Sequence, residues 1–89
     1  MILHTFNKVP ALATGGPFIQ ADDQVLFIED GVYALLGDNL DLPTSNIYAL
    51  EADISARGLA SRVNESVKLV NYQGFVQLCC DADSVSNWS

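Results

Sequence analysis

The chain has 89 residues, enough for one small domain with a single core. Hydrophobic residues make up 49% of it and charged residues 17%, so part of the surface is expected to contact other subunits. The net charge of −7 comes from 11 acidic and 4 basic residues, and so few cations argue against direct binding of nucleic acid.

Two further features bear on where the protein works. No apolar run approaches the roughly 18–20 residues that span a bilayer, and the segment MILHTFNKVP lacks the pattern of a signal peptide. Cys79 and Cys80 are adjacent, with Cα atoms about 3.8 Å apart. That is less than the roughly 4.4–6.8 Å a disulfide usually joins, so we predict free thiols, a cytoplasmic location and no membrane contact.

The first half of the chain is predicted to hold two strands with weak helical structure around them. Met1–Phe6 is the first strand. The segment NKVPALATGGPFIQADD carries prolines and paired glycines, so it supports at most a short or broken helix. Asp22-Asp23 forms a turn into the second strand, Val25–Ile28. Gly31–Leu36 has helical composition, and GDNLDLPTS is predicted to be a loop.

The second half continues the alternation. The pattern predicts a strand at Asn46–Leu50, a helix ISARGLASRV with Asp53 as its N-cap, a strand at Val67–Val70, and a helix from Gln73 to about Asp81. Arg57 falls on the polar face of the first of these helices, and Ile54 falls off its apolar face. The tail SVSNWS ends with an apolar anchor, Trp88.

Strands without polar alternation, separated by helices, are typical of a parallel sheet covered on both faces. We therefore predict an α/β fold for residues 1–89 as a single domain. Its sheet would be small, open and mostly parallel, with four strands in the order 2-1-3-4 and helices on both faces in three layers.

The turn after the second strand is the first candidate site, because ligands bind beyond the carboxyl ends of parallel strands. Gly31 at a helix start could admit an anion. The alternative, which we favour, is structural: Asp30 caps the helix and Gly31 relaxes the turn. Glu29 and Asp30 would also repel a phosphate. His4 has no ligand at metal spacing and is interpreted as a structural histidine, so we predict no metal and no cofactor.

The cysteines are the second candidate site. On a helix from Gln73, Cys79 lies at the centre of the buried face beside Phe75, and Cys80 lies at its flank. A reactive thiol needs a nearby cation or a helix N-terminus. Both cysteines instead stand near a helix C-terminus followed by Asp81, which opposes thiolate formation. Cys80 is therefore kept only as a weak candidate sulfur acceptor, and no catalytic residue is predicted.

Several segments, in order, resemble the TusB/DsrH family of sulfur-relay subunits: ILHTFNKVP, LFIEDGVYALL, IYALEADISARGL, and VKLVNYQGFVQL followed by SVSNW. The likeness spans nearly the whole chain. It implies a DsrE-like fold and assembly with TusC/DsrF-like and TusD/DsrE-like sister subunits. It also implies a relay of persulfide sulfur to a TusE-like carrier, for 2-thiolation of the wobble uridine of tRNA or for oxidative sulfur metabolism.

The chain departs from this family at one point that matters for function. Some DsrH-type members carry a cysteine in the first helix, and the matching stretch ALATGGPFIQ has none. Cys79 and Cys80 match no family cysteine that we can place.

We therefore expect a non-catalytic, structural subunit of a cytoplasmic sulfurtransferase complex that acts in tRNA thiolation and has no activity alone. The alternatives are a DsrH-type subunit in sulfur oxidation, a persulfide acceptor through Cys80, or a small anion-binding module at Gly31. A hetero-oligomer is expected, and a homo-oligomer is the other possibility.

Overall fold

A computed structural model describes residues 1–37 and 40–89. Within them the strands are β1 (Ile2–Phe6), β2 (Gln24–Phe27), β3 (Ile47–Leu50), β4 (Lys68–Val70) and β5 (Ser84–Trp88). The helices are α1 (Ala11–Gly15), a short 3-10 helix (Gly16–Phe18), a long 3-10 helix (Glu29–Leu36), α2 (Glu51–Ala56) and α3 (Tyr72–Asp81). The predicted loop GDNLDLPTS includes Asp38 and Asn39, which lie outside the described residues.

The strands form one parallel sheet in the order β4-β3-β2-β1-β5. The prediction of a parallel α/β fold is confirmed. The predicted four strands and the order 2-1-3-4 are wrong, because the sheet has five strands within the described residues and β2, not β1, lies beside β3.

The strand missing from the prediction is β5. The sequence analysis interpreted this segment as a C-terminal tail without secondary structure. It pairs with β1 from Ile2↔Ser84 to Phe6↔Trp88. Alternate residues of a strand face opposite sides, and an edge strand can leave much of its surface in water. Polar residues such as Ser84, Ser86 and Asn87 can therefore occupy this strand. Because they interrupt its apolar residues, the segment has no apolar run from which a strand would be predicted.

The first helical segment is short, as predicted: α1 has five residues and runs into the three-residue 3-10 helix. The predicted helix from Asp53 to Val63 is wrong at both ends, since α2 begins at Glu51 and ends at Ala56. Asp53 lies inside α2 and is not its N-cap.

Gly58 explains why α2 stops. Its φ is 65°, its N–H donates to the Ser55 carbonyl, and the next N–H, of Leu59, donates to the Ile54 carbonyl. This bond pattern is a Schellman motif, which ends a helix with a left-handed glycine. Ile54 and Leu59 are both buried in the same core, so Ile54 has the apolar partners that the predicted longer helix could not supply.

The helices divide between the two faces of the sheet. On one face Phe6, Val25, Phe27 and Ala49 form the larger core, which residues from α1, the long 3-10 helix and α2 complete. On the other face a smaller core is built around Leu3, Leu26 and Leu78. Since Leu78, Phe75 and Cys79 all belong to α3, that helix covers the smaller core.

Candidate functional site

The turn between β2 and the long 3-10 helix holds the first predicted site. Glu29 has a φ of 50°, a left-handed conformation that is unfavourable for a residue with a Cβ atom. Its backbone N–H donates to Asp53 Oδ2 at 2.7 Å. A carboxylate of α2 thus takes the first N–H of the 3-10 helix, the group that the anion-binding hypothesis would offer to a ligand.

Gly31 is required by a close approach of two backbone segments. A Cβ atom placed on it would lie 2.1 Å from the carbonyl oxygen of Phe6 and 2.8 Å from its carbonyl carbon. The same Phe6 oxygen accepts the N–H of Ile28 at 3.0 Å. The space beside Gly31 is therefore filled by the end of β1.

Asp30 does not cap the helix, so that part of the structural interpretation is wrong. The long 3-10 helix has no side-chain cap at Ile28, the residue before it. The Asp30 carboxylate instead reaches across the surface, where Oδ1 accepts from Arg57 Nε at 3.1 Å and from Nη2 at 2.9 Å. The first N–H of the 3-10 helix is therefore satisfied by Asp53 of α2, while Asp30 pairs with the Arg57 side chain.

Arg57, which the sequence placed on a solvent face, ties α2 to this turn. Its Nη1 donates to the Asp53 carbonyl at 3.2 Å and lies 3.4 Å from Asp53 Oδ1. Its guanidinium carbon is 5.9 Å from the centre of the Tyr33 ring. The hydrogen bond to Asp30 raises the pKa of Arg57 further, so the guanidinium stays charged, and its N–H groups are bonded to Asp30 and Asp53. An incoming phosphate would have to displace two carboxylates.

His4 lies in a second polar cluster, on the larger-core face of β1. Its side chain is 1% exposed. Nε2 is 3.0 Å from Asp23 Oδ2, and Nδ1 accepts from the indole N–H of Trp88 at 3.1 Å. Both ring nitrogens are satisfied, which confirms the interpretation of a structural histidine. Sequence reasoning missed its partners, which lie 19 and 84 residues away along the chain.

Asp23 is the buried anion of this cluster. Burial works to raise its pKa, but hydrogen bonds from the Ile2 N–H, His4 and the Gln20 N–H outweigh it and lower the pKa overall. A carboxylate bonded to an imidazole also occurs in the catalytic triad of serine hydrolases, where the other ring nitrogen acts as the general base. The nitrogen that would accept a proton is already bound to the Trp88 indole, so the cluster offers no free base.

The cysteines lie in the last turn of α3, as predicted. Cys79 is half-buried and packs against the smaller core, and Cys80 is exposed. Burial raises the pKa of the Cys79 thiol, with a smaller contribution from Cys80. This half of the pair is thus held in the protonated, unreactive form.

An apolar strip runs along α3 from its half-buried side to its exposed side. It comprises Tyr72, Phe75, Val76, Cys79 and Cys80, and we call it the α3 strip. Tyr72 is 63% exposed and Val76 is 61% exposed. A shallow groove of about 300 Å³ lies against its four C-terminal members. Large exposed apolar residues grouped in this way are typical of a surface that contacts another protein.

Neither a metal site nor a membrane span is evident in the part of the chain that the structure describes. No group of three or more His, Cys, Asp or Glu side chains there could hold a metal ion. No helix among those residues is long and apolar enough to cross a bilayer.

Comparison with known sequences identifies relatives along most of the chain. The family described as DsrH like protein matches residues 8–85. Protein TusB of Photorhabdus laumondii is 37% identical over 78 aligned positions, covering 82% of this chain and 76% of that protein. Protein TusB of Escherichia coli K12 is 30% identical over 95 aligned positions, covering 98% and 100%.

Comparison with solved structures identifies the same type of fold. The solution structure of protein Tm0979 from Thermotoga maritima has a TM-score of 0.64 and 28% identity, covering 88% of this chain and 90% of that one. The crystal structure of the ychN protein from E. coli also has a TM-score of 0.64, with coverage of 97% and 96%. At 13% identity, the ychN likeness shows the fold alone.

Proposed function

Because this chain belongs to the DsrH-like family, together with the proteins named TusB, we propose that it is a structural subunit of a cytoplasmic sulfur-relay complex. The complex would contain TusC/DsrF-like and TusD/DsrE-like sister subunits and would pass sulfur to a TusE-like carrier for 2-thiolation of the tRNA wobble uridine. Residues 1–89 would act as one DsrE-like domain within it.

The position of the two cysteines carries the non-catalytic part of this proposal. A sulfur-carrying thiol must be available as thiolate, which a helix N-terminus or a nearby cation favours. Cys79 and Cys80 occupy the opposite end of α3, where the helix dipole disfavours a negative charge. Burial raises the pKa of Cys79 as well.

The α3 strip supports the subunit part of the proposal. Tyr72 and Val76 would leave water on contact with a sister subunit, and apolar burial is the main driving force of association. The strip has Gln73, Gln77 and Asp81 along its side, with Gln77 bonded to Asp81. An apolar centre with a polar rim is the usual anatomy of a protein interface.

Co-purification tests the subunit role. The chain is co-expressed with its TusC-like and TusD-like neighbours, and the tagged TusD-like subunit is isolated. We expect this chain in the isolated complex and expect Val76→Arg to remove it. Ala60→Arg, an exposed change outside α3, should have no effect. A chain that elutes alone beside assembled sisters would refute the role.

Thiolation itself is measured as the 2-thiouridine content of tRNA in a strain that lacks this gene. Loss of 2-thiouridine, restored by the gene, is expected for the tRNA pathway. Unchanged 2-thiouridine would favour the DsrH-type role in sulfur oxidation.

Sulfur acceptance by Cys80 is the second candidate, because this thiol is exposed beside the α3 groove. Its thiolate would attack the outer sulfur of a donor persulfide and take that sulfur, and the donor would leave as a thiolate. Mass spectrometry after exposure to the donor separates the two candidates. An added sulfur atom that disappears in Cys80→Ser would establish the acceptor, while restoration of 2-thiouridine by Cys80→Ser would establish the structural role.

A further inference from the structure

The hydrogen bonds around His4 fix its protonation. An indole N–H can only donate a hydrogen bond, so the Nδ1 atom that faces Trp88 must be the bare nitrogen of the ring. The proton of the neutral imidazole is then on Nε2, which donates to Asp23. The Asp23 carboxylate is held ionised by three donors.

A second proton on His4 would break the bond to Trp88. Both nitrogens of an imidazolium are donors, so Nδ1–H would face the indole N–H. A half-turn of the ring brings no relief, since it presents another N–H to the indole. Two opposed donors, buried away from water, replace a favourable bond by an unfavourable contact, whereas the bond to Asp23 persists and becomes an ion pair.

Trp88 packs the end of β5 against α1 and the short 3-10 helix. Its ring stacks on Phe18 at a centroid distance of 5.4 Å and covers Gly15, where a Cβ atom would lie 2.4 Å from the indole. Its carbonyl accepts the Asn7 N–H at 3.4 Å. Loss of the His4 bond would therefore loosen the end of β5 and uncover α1 and the short 3-10 helix.

The charges around His4 are few. From the loop before β2, Asp23 contacts the ring and Asp22 lines the same groove; from β5, Trp88 and Ser86 are neutral. The N-terminal amine of Met1 also lines the groove and is paired with Asp83. Among these groups only the indole N–H opposes protonation by direct contact.

We infer that the His4–Trp88 bond is an acid-sensitive latch on β5. With the latch closed, neutral His4 holds Trp88 over Gly15. When His4 takes up a proton, the indole loses its acceptor and the end of β5 is released. The released state binds one more proton than the closed state, so falling pH favours release. This inference goes beyond the proposed function and does not depend on it.

Trp88 is the single tryptophan of the chain, so its fluorescence reports the latch directly. The purified chain is titrated from about pH 8 to about pH 5. We expect a reversible one-proton transition with a red-shifted emission maximum and faster acrylamide quenching, while far-UV circular dichroism keeps the folded signal. A folded protein with unchanged emission across this range would overturn the latch.

His4→Gln is the matched variant, because its amide can accept from Trp88, donate to Asp23 and take up no proton. We expect it to keep the pH 8 emission at pH 5, and an unchanged transition in this variant would overturn the assignment to His4. If His4→Gln does not fold, the indole ¹⁵N–H resonance of the native protein decides. It should change chemical shift in step with the His4 ring protons, and an independent titration of the two signals would contradict the inference.

Discussion

Replacing Gly31 by alanine should destabilise the fold strongly for one added methyl group. The new Cβ atom would lie 2.1 Å from the Phe6 carbonyl oxygen, which is backbone and cannot move aside by rotation. Overpacking typically costs about 1–3 kcal/mol. Moving the turn away also strains the bond from Ile28 N–H to Phe6, worth about 1 kcal/mol. We therefore expect a loss of about 2–4 kcal/mol, a large share of the roughly 5–15 kcal/mol that stabilises a domain.

The measurement is urea unfolding followed by circular dichroism, with a thermal melt beside it. For a chain of this size, about 3 kcal/mol lowers the Tm by roughly 12–24 °C. Gly16→Ala is the matched control, because no atom lies within 4 Å of its added Cβ. Alanine lowers the conformational entropy of the unfolded chain, which stabilises the fold. Helical backbone angles are less favourable for alanine before Pro17, which offsets that gain, so we expect little change in stability. Equal stabilities of the Gly31 and Gly16 variants would refute the reasoning from close approach.

Three further outcomes follow from the polar contacts and the thiols. Asp53→Ala should cost about 1 kcal/mol in urea unfolding, because the Glu29 N–H loses its acceptor. Asp23→Asn should make the free energy of unfolding depend less on pH in acid. The pKa of Asp23 is lower in the folded than in the unfolded protein, so the ionised carboxylate stabilises the fold above the unfolded pKa. That stabilisation disappears as the pH falls through the folded pKa. Iodoacetamide near pH 8 should label Cys80 before Cys79, as read by mass spectrometry, because burial raises the pKa of Cys79.

Each of these has its own contradicting result. Glu51→Ala, an exposed change in the same helix turn as Asp53, should cost less than about 0.5 kcal/mol, and an equal effect of the two changes would remove the role of Asp53. A pH profile that Asp23→Asn leaves unchanged would show that other carboxyl groups govern acid unfolding. Equal labelling rates would show that Cys79 is not protected.

The sequence predicted the parts of the fold whose signals are local. The apolar runs that became β1 to β4 lie within a residue or two of their predicted bounds. The stop of α2 at Gly58 was also readable, since a glycine followed by a buried leucine is the mark of a helix end. The helical spacing of apolar residues continues past Gly58 to Val63, and the prediction followed that spacing and gave a longer helix.

Other features could not be predicted because they join distant residues. β5 has little apolar character and becomes a strand only through β1, 82 residues away. The carboxylate at the Glu29 N–H comes from Asp53 rather than from the neighbouring Asp30, and a helix cap is normally sought within its own segment. For His4, one bond joins it to each of two distant segments, and no local pattern marks either partner.

The pairing of β1 with β5 sets the order in which this protein can be completed during translation. Ile2 to Phe6 are made well before their partners on one side, Ser84 to Trp88, which lie 82 positions further along the chain. At about 5–20 residues per second, the 82 positions between the partners take roughly 4–16 seconds to make, and the free side of β1 lacks its neighbour for that time. During that interval a nascent chain exposes the edge that β5 later covers, and a chaperone or a second nascent chain can reach it.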